Sequence, residues 1–308
     1  MRDPDSKPIK TLSLGAGVQS SPPKLFDSLG AGVQSSVQLL MAEAGEIEKP
    51  DAAIFADTQD EPRHLKTQCP TTGEWITGGI YGWIEWLRLK VSFPIYTVSK
   101  GELMQESFVV HTSKKTGNKY FKGNIPAFVD KGDGSKGLLS RYCTVDYKVT
   151  PVQRKVKELC GVKRGGKDVI ARVRIGISTD EAHRMKPSRV PYILNEFPLI
   201  DTGMSRQDCK EWMRHRGYPT PPRSACRSCP FHSDKEWKNL KDNARADFDK
   251  AVETERRMQH AAGQQSALRG TPYLHSSCVP LDEVGFGATS GDGQLELWGN
   301  ECEGMCGV

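Results

Sequence analysis

Apolar residues at Val37, Leu40, Met41 and Ala44 follow the i, i+3, i+4, i+7 spacing of one helix face, and Gly45 ends the pattern. The short apolar runs at 51–57 (DAAIFAD), 93–98 and 168–177 (DVIARVRIGI) predict buried strands. Two stretches compete for the first strand: 9–14, which has the better pattern, and 24–29. Residues 81–90 predict a short aromatic helix whose Trp83, Trp86 and Leu87 suit core packing better than base stacking. Thr150 reads as the cap of a helix with Pro151 at its first position, Val152, Val156 and Leu159 on one face, and Gly161 behind it. Ser205 with Asp208 opens another helix, closed by Gly217, and Ser233 with Glu236 opens a long amphipathic one running to about His260. Strand–helix alternation predicts an α/β fold: a doubly wound, mainly parallel sheet with right-handed crossovers and a helical, loop-rich C-terminal region. The expected division is an α/β domain over 1–200, a helical segment over 201–262 packed on it, and a tail over 263–308. Residues 63–80, with Cys69 and Pro70, read as an inserted loop, and 261–270 as a polar linker.

One nonapeptide, Ser-Leu-Gly-Ala-Gly-Val-Gln-Ser-Ser, occurs at 13–21 and again at 28–36, an exact match at an offset of 15 that reads as a local duplication. Small residues leading into a helix leave backbone N–H groups uncovered beside the positive end of its dipole, and that combination binds phosphate. Pro22 and Pro23 bar a helix after the first copy, whereas the second runs straight into the Val37 stripe. The second copy is therefore the expected phosphate loop, with 15–27 bulging out. The competing reading is a flexible Gly/Ser loop with no ligand. The polar cluster Asp57-Thr58-Gln59-Asp60-Glu61 ends the second strand, and in open parallel sheets ligands sit beyond such carboxyl ends.

Composition narrows the classes. The chain has 308 residues, 37% hydrophobic and 26% charged, with a formal net charge of +5, which permits an anionic ligand without demanding one. No apolar run approaches the ~20 residues of a membrane helix. The start, MRDPDSKPIK, lacks the apolar centre of a signal peptide, so the expectation is a cytoplasmic protein with no membrane partner. Nine cysteines, an odd number, point to a reducing compartment where thiols act as metal ligands or nucleophiles. Residues 111–138 are basic and glycine-rich, with Lys114, Lys115, Lys119, Lys122, Lys131 and Lys136 interleaved with Tyr120 and Phe121. That stretch reads as a mobile lid or as a nucleic-acid contact.

Cys226-Arg-Ser-Cys229-Pro-Phe231 forms a tight Cys-x-x-Cys, and upstream stand Arg141-Tyr142-Cys143, Lys148 and Pro151. With these residues the chain resembles the PP-loop adenine-nucleotide enzymes, specifically the phosphoadenylyl-sulfate (PAPS) and adenylyl-sulfate (APS) reductase superfamily, over roughly residues 10–260 and the C-terminal cysteine motif. The resemblance implies a PP-loop, adenine nucleotide alpha hydrolase-like fold. It implies that Gly30, Ala31, Gly32, Gln34, Ser35 and Ser36 hold nucleotide phosphates, Gln34 replacing the usual Asp. Asp57, Thr58 and Arg141 match further nucleotide-binding positions, and 176–184 (GISTDEAHR) matches the strand-four motif that includes Arg184. Cluster-bearing members hold a [4Fe–4S] centre with a Cys-Cys pair and a distant Cys-x-x-Cys. Tyr142-Cys143 stands where the pair would be, so Cys143, Cys226 and Cys229 carry over, with Cys209 the nearest candidate fourth ligand. Thiolates suit such a cluster. A zinc site from Cys209, Cys226, Cys229 and His232, or no metal at all, are the alternatives. Cys69, Cys160 and Cys278 read as buried small hydrophobes.

Glu301-Cys302 resembles the C-terminal Glu-Cys-Gly whose cysteine attacks sulfur in the reductases, although Glu303 replaces the glycine. Cys306 follows, so the tail could close a resolving disulfide or be merely mobile. Reductases place a sulfate-holding arginine where this chain has Ser178; Arg184 and Arg141 remain as anion holders, and the resemblance makes Cys302, Arg184 and Lys148 the expected catalytic residues. Three functions are expected in competition. The first is a PAPS/APS-reductase-like oxidoreductase in which Cys302 attacks a sulfonucleotide and a thiol reductant such as thioredoxin releases sulfite. The second is an ATP- and Mg²⁺-dependent sulfurtransferase that uses the cluster and a sulfur donor to thiolate a nucleic acid, tRNA or DNA. The third is a non-catalytic nucleotide-binding regulator.

Overall fold

The computed structural model describes residues 22–121, 123–161, 169–265 and 268–286. Five strands form one parallel sheet: β1 (Lys24–Leu29), β2 (Ala52–Asp57), β3 (Ile95–Ser99), β4 (Ala171–Ile175) and β5 (Ile193–Glu196). Their spatial order is β5-β4-β1-β2-β3, with every neighbouring pair parallel. The α/β architecture with a mainly parallel sheet is therefore as expected. The winding reverses at β1, because the chain moves outward to β2 and β3 and then returns to lay β4 on the other side.

Helices cover both faces, which is why the central strands read as continuous apolar runs. On one face α1 (Val33–Glu43), α2 (Gly79–Lys90) and α4 (Arg206–His215) bury Val37, Leu40, Trp83, Leu87 and Met213 against Leu29, Ala53 and Phe55. Trp83 and Trp86 stack with ring centroids 4.6 Å apart, so the aromatic helix packs as expected. On the other face α3 (Thr150–Leu159) sets Val152 and Val156 against Phe26, Ile54, Ala56 and Val173. A third core joins α5 (Asp234–Asn243) and α6 (Arg245–Gly263) to Phe108, Ile125, Tyr147, Cys226 and Cys229.

A fully buried polar contact crosses the middle of the sheet. Asp27 of β1 faces Arg174 of β4 in register, both buried, with Nε–Oδ1 2.7 Å and Nη2–Oδ2 2.8 Å. Gln38 of α1 donates to the same Oδ1 at 2.7 Å. Burial pushes the Asp27 carboxyl up from the usual carboxylate range, and the Arg174 guanidinium opposes it.

Several expectations need correction. Residues 24–27 belong to the central strand β1, so the segment ahead of the second nonapeptide does not bulge out there; the first copy, 13–21, lies outside the described residues. Thr150 is not a helix cap, because a π-helical turn over Thr144–Val149 already leads into α3 and Thr150 is itself helical at φ −61°, ψ −45°. The long helix from Ser233 breaks at Ala244 (φ −143°, ψ 52°) into α5 and α6, and α6 runs to Gly263, through the start of the expected linker. Both capping boxes, Ser205–Asp208 and Ser233–Glu236, are present.

A fifth strand, β5, extends the sheet beyond the four expected. The 63–80 insertion carries a small ribbon, Thr67–Gln68 with Trp75–Ile76. The basic stretch is a hairpin, Val110–Thr112 with Lys119–Phe121, followed by Phe128–Asp130 paired with Lys136–Leu138. Thr271–Tyr273 adds to Phe128–Asp130 as a third strand, tying the start of the tail to the preceding region. Cys69, Cys160 and Cys278 are half-buried rather than core residues. Among the described residues no helix is long and apolar enough to cross a membrane.

Candidate functional site

The second nonapeptide lies at the carboxyl end of β1, where the winding of the sheet reverses. Gly30, Ala31 and Gly32 turn the chain into α1, with Ala31 in the left-handed region at φ +59°, a conformation costing a residue with a Cβ about 1–2 kcal/mol. Gly32 caps α1 and brings no side chain to its N-terminus, and the first turn holds no acidic residue. The leading N–H groups of α1 thus lack intrahelical partners beside the positive end of the dipole. Opposite them, Gly176 directly follows the last residue of β4. A Cβ there would lie 2.7 Å from the backbone N of Ser35 and 2.8 Å from its Cα, so only glycine lets the first turn of α1 approach this closely.

Across this junction Gln34 reaches from α1 to the 176–184 segment, with Nε2 3.3 Å from Ser178 Oγ and 3.3 Å from Glu181 Oε2. Arg184, buried, pairs with Glu181 at 2.7 Å, so its cation is balanced locally. Burial raises the Glu181 carboxyl and Arg184 opposes that shift. Ser35 stays beside the loop, its hydroxyl 3.4 Å from the Gly32 carbonyl. Ser36 points the other way: its hydroxyl accepts from Trp83 Nε1 at 2.9 Å inside the core, which corrects its expected place among the phosphate ligands.

The polar cluster after β2 adjoins the loop through the cysteine segment. Ser224 donates its hydroxyl to the Gly30 carbonyl, so the connector leading to Cys226 lies over the loop, and Gly30, Ala31 and Gln34 are buried. Thr58 Oγ1 lies 3.2 Å from Cys226 Sγ. Glu61, fully buried, takes Lys148 Nζ at 3.3 Å and sits 3.9 Å from the Cys226 thiol. Lys148 is therefore held in an ion pair rather than presented to a ligand. Burial, with Glu61 beside it, holds the Cys226 thiol well above its usual range.

Asp60 accepts from Arg227 Nε at 2.9 Å and from the Ser228 N–H at 3.2 Å, and burial raises its carboxyl to about 7. Asp57, half-buried, accepts from Tyr81 Oη at 2.8 Å and from the Gln59 N–H at 2.7 Å. Arg141 lies over the Phe231 ring of the cysteine segment at 5.8 Å.

The thiols divide between two cores. Cys143 packs against the cluster that contains Cys226 and Cys229, whereas Cys209 is buried among α1, α2 and α4 on the sheet face. There burial pushes the Cys209 thiol up to about 12. Cys209 is a packing residue and leaves the expected ligand set. His232 turns Nε2 to the Cys226 carbonyl at 3.0 Å, and burial, reinforced by Arg223, lowers its imidazole to about 3. Among the described residues no three His, Cys, Asp or Glu groups converge to hold a metal ion. Because Cys209 lies in the other core, the four expected cluster ligands do not meet as one set, and neither do Cys209, Cys226, Cys229 and His232 as a zinc set. Cys302 and Cys306 lie outside the described residues.

Sequence reasoning missed Asp27, Arg174, Arg227 and Ser224. The first two leave a signal, an acid and a base each standing within an otherwise apolar strand; the others bond across sequence separations that no local pattern records. No protein-family model, curated protein or solved structure matches the chain.

Proposed function

We propose that the protein is a PP-loop-type enzyme that seats an adenine nucleotide's phosphates on the N-terminus of α1 and carries out reductive sulfur chemistry. The observation that carries this reading is the uncapped, acid-free start of α1 at the winding reversal, held against β4 by Gly176. In the proposed reaction the Cys302 thiolate attacks the sulfur of an adenylylated sulfate. The sulfur–oxygen bond to phosphate breaks and AMP, or its 3′-phosphorylated form, leaves with the electron pair. A dithiol reductant then attacks Cys302 Sγ, releases sulfite, and ends as a disulfide.

Purified protein should release sulfite from APS or PAPS in the presence of a dithiol, and Cys302→Ser should abolish release while retaining nucleotide affinity. Absence of nucleotide binding by calorimetry would remove the whole reading; binding without sulfite would remove its sulfur step.

A second reading, ATP-dependent sulfur transfer to a nucleic acid, draws support from the basic hairpin. Lys114, Lys115 and Lys119 are exposed beside Tyr120, as are Lys131 and Lys136, and Ser178 stands in place of the sulfate-holding arginine. It predicts pyrophosphate release from ATP and no sulfite.

A further inference from the structure

We propose that Ser277, His275 and Asp234 form an acyl-accepting hydroxyl site, separate from the nucleotide loop and independent of the reading given above. His275 Nε2 lies 3.0 Å from Asp234 Oδ1, and its Nδ1 lies 2.7 Å from Ser277 Oγ. A carboxylate only accepts, so Nε2 carries the ring proton and Nδ1 presents its lone pair to the serine. Nucleophile, base and orienting carboxylate thus stand in hydrogen-bond reach in the roles acyl transfer needs. The Ser277 N–H also points to Nδ1, at 3.2 Å, and Val279 N donates to Ser277 Oγ at 3.3 Å.

The turn that carries these groups is held from several sides. The buried Glu255 carboxylate of α6 accepts the N–H groups of Leu274 and Leu281, each at 2.7 Å, strapping both ends of the segment to the helix. Phe286 meets the His275 ring edge-on at 5.8 Å. His275 is buried while Ser277 is exposed, so the base is shielded and the hydroxyl is open to a reactant. The next residue, Cys278, sits at φ +60°, a strained backbone for a residue with a Cβ. Lys136 holds its ammonium 2.9 Å and 3.1 Å from the Ser276 and Ser277 carbonyls, bringing a cation to the turn.

The substrate class is a small, activated carboxylic ester, since an exposed hydroxyl on an open turn selects by reactivity. Ser277 Oγ bonds to the acyl carbon as its proton passes to His275 Nδ1. The ester C–O bond breaks, the alcohol takes that proton, and water later hydrolyses the acyl-serine by the reverse route.

The test uses the full chain and p-nitrophenyl acetate, with adducts mapped by mass spectrometry. An acetyl group on Ser277, lost in Ser277→Ala, is the expected result. Asp234→Asn should slow Ser277 acetylation at least tenfold, because an amide can donate to Nε2 and so place the ring proton on Nδ1. Asp234→Glu should recover part of the rate, with melting temperatures reporting that each variant is folded. No acetyl on Ser277 of the wild-type protein, or equal acetylation of Ser277 in Asp234→Asn, would overturn the site and leave the contacts as a turn-stabilising network.

Discussion

Thr58 Oγ1 and Cys226 Sγ meet 3.2 Å apart, joining the carboxyl end of β2 to the cysteine segment. Burial, with Glu61 beside it, holds that thiol in its protonated form, and the Thr58 contact opposes the shift. Cys69 is the opposite case: Thr72 donates from its hydroxyl and its N–H, lowering that thiol. In iodoacetamide labelling at pH 8 read by mass spectrometry, Cys69 should react first. Cys209 and Cys226 should resist until the chain unfolds.

The buried Asp27–Arg174 pair leaves a lone charge when either member is removed. Asp27→Ala should cost about 3–5 kcal/mol in urea unfolding. The double variant Asp27→Leu with Arg174→Met should recover most of that loss, because no buried charge remains.

His232 of the cysteine segment and Asp60 of the cluster after β2 give stability opposite pH dependences. His232 binds its proton at about 3 when folded against 6.5 in its ordinary state, so its contribution is present above pH 6.5 and is lost as pH falls toward 3. Asp60 moves from 3.8 to about 7, so its contribution is full below pH 3.8 and is lost as pH rises through 7. Melting curves from pH 4 to 8 should show the acid-side fall shrink in His232→Gln. The fall toward pH 7 should shrink in Asp60→Asn.

Gly176→Ala places a methyl against the backbone of Ser35. Pushing α1 away from β4 should cost about 1–3 kcal/mol of stability and weaken nucleotide affinity, measured by denaturation and calorimetry.

Ser224→Ala releases the connector from the Gly30 carbonyl. If nucleotide enters beneath that connector, stopped-flow association should quicken, with the melting temperature little changed.

Much of this architecture is written in local chemistry. The Val37 stripe, the two capping boxes and the apolar runs of β2 and β4 are each set by neighbours within a few residues, and the prolines after the first nonapeptide point to the second. Other features depend on distant partners. The break at Ala244 interrupts an unbroken amphipathic pattern, and beyond it Asp247 accepts the N–H groups of Arg63 and His64 at 2.9 and 2.8 Å. β5 is an edge strand with one buried residue in four, so it offers no apolar run to read. Ser36 was legible as a loop hydroxyl, but only the position of Trp83 reveals that it faces the core. Cys209 was legible as a thiol, yet its neighbours Val37 and Met213 make it part of the packing.

The cross-sheet ion pair also arbitrates between the twin nonapeptides. Fifteen positions before Asp27 stands Leu12, and fifteen before Gln38 stands Pro23. A chain that threaded its earlier copy into the middle of the sheet would set a leucine against the Arg174 guanidinium and lose the glutamine that steadies the carboxylate. One acid, placed where its duplicate has an aliphatic side chain, proofreads which repeat becomes the central strand.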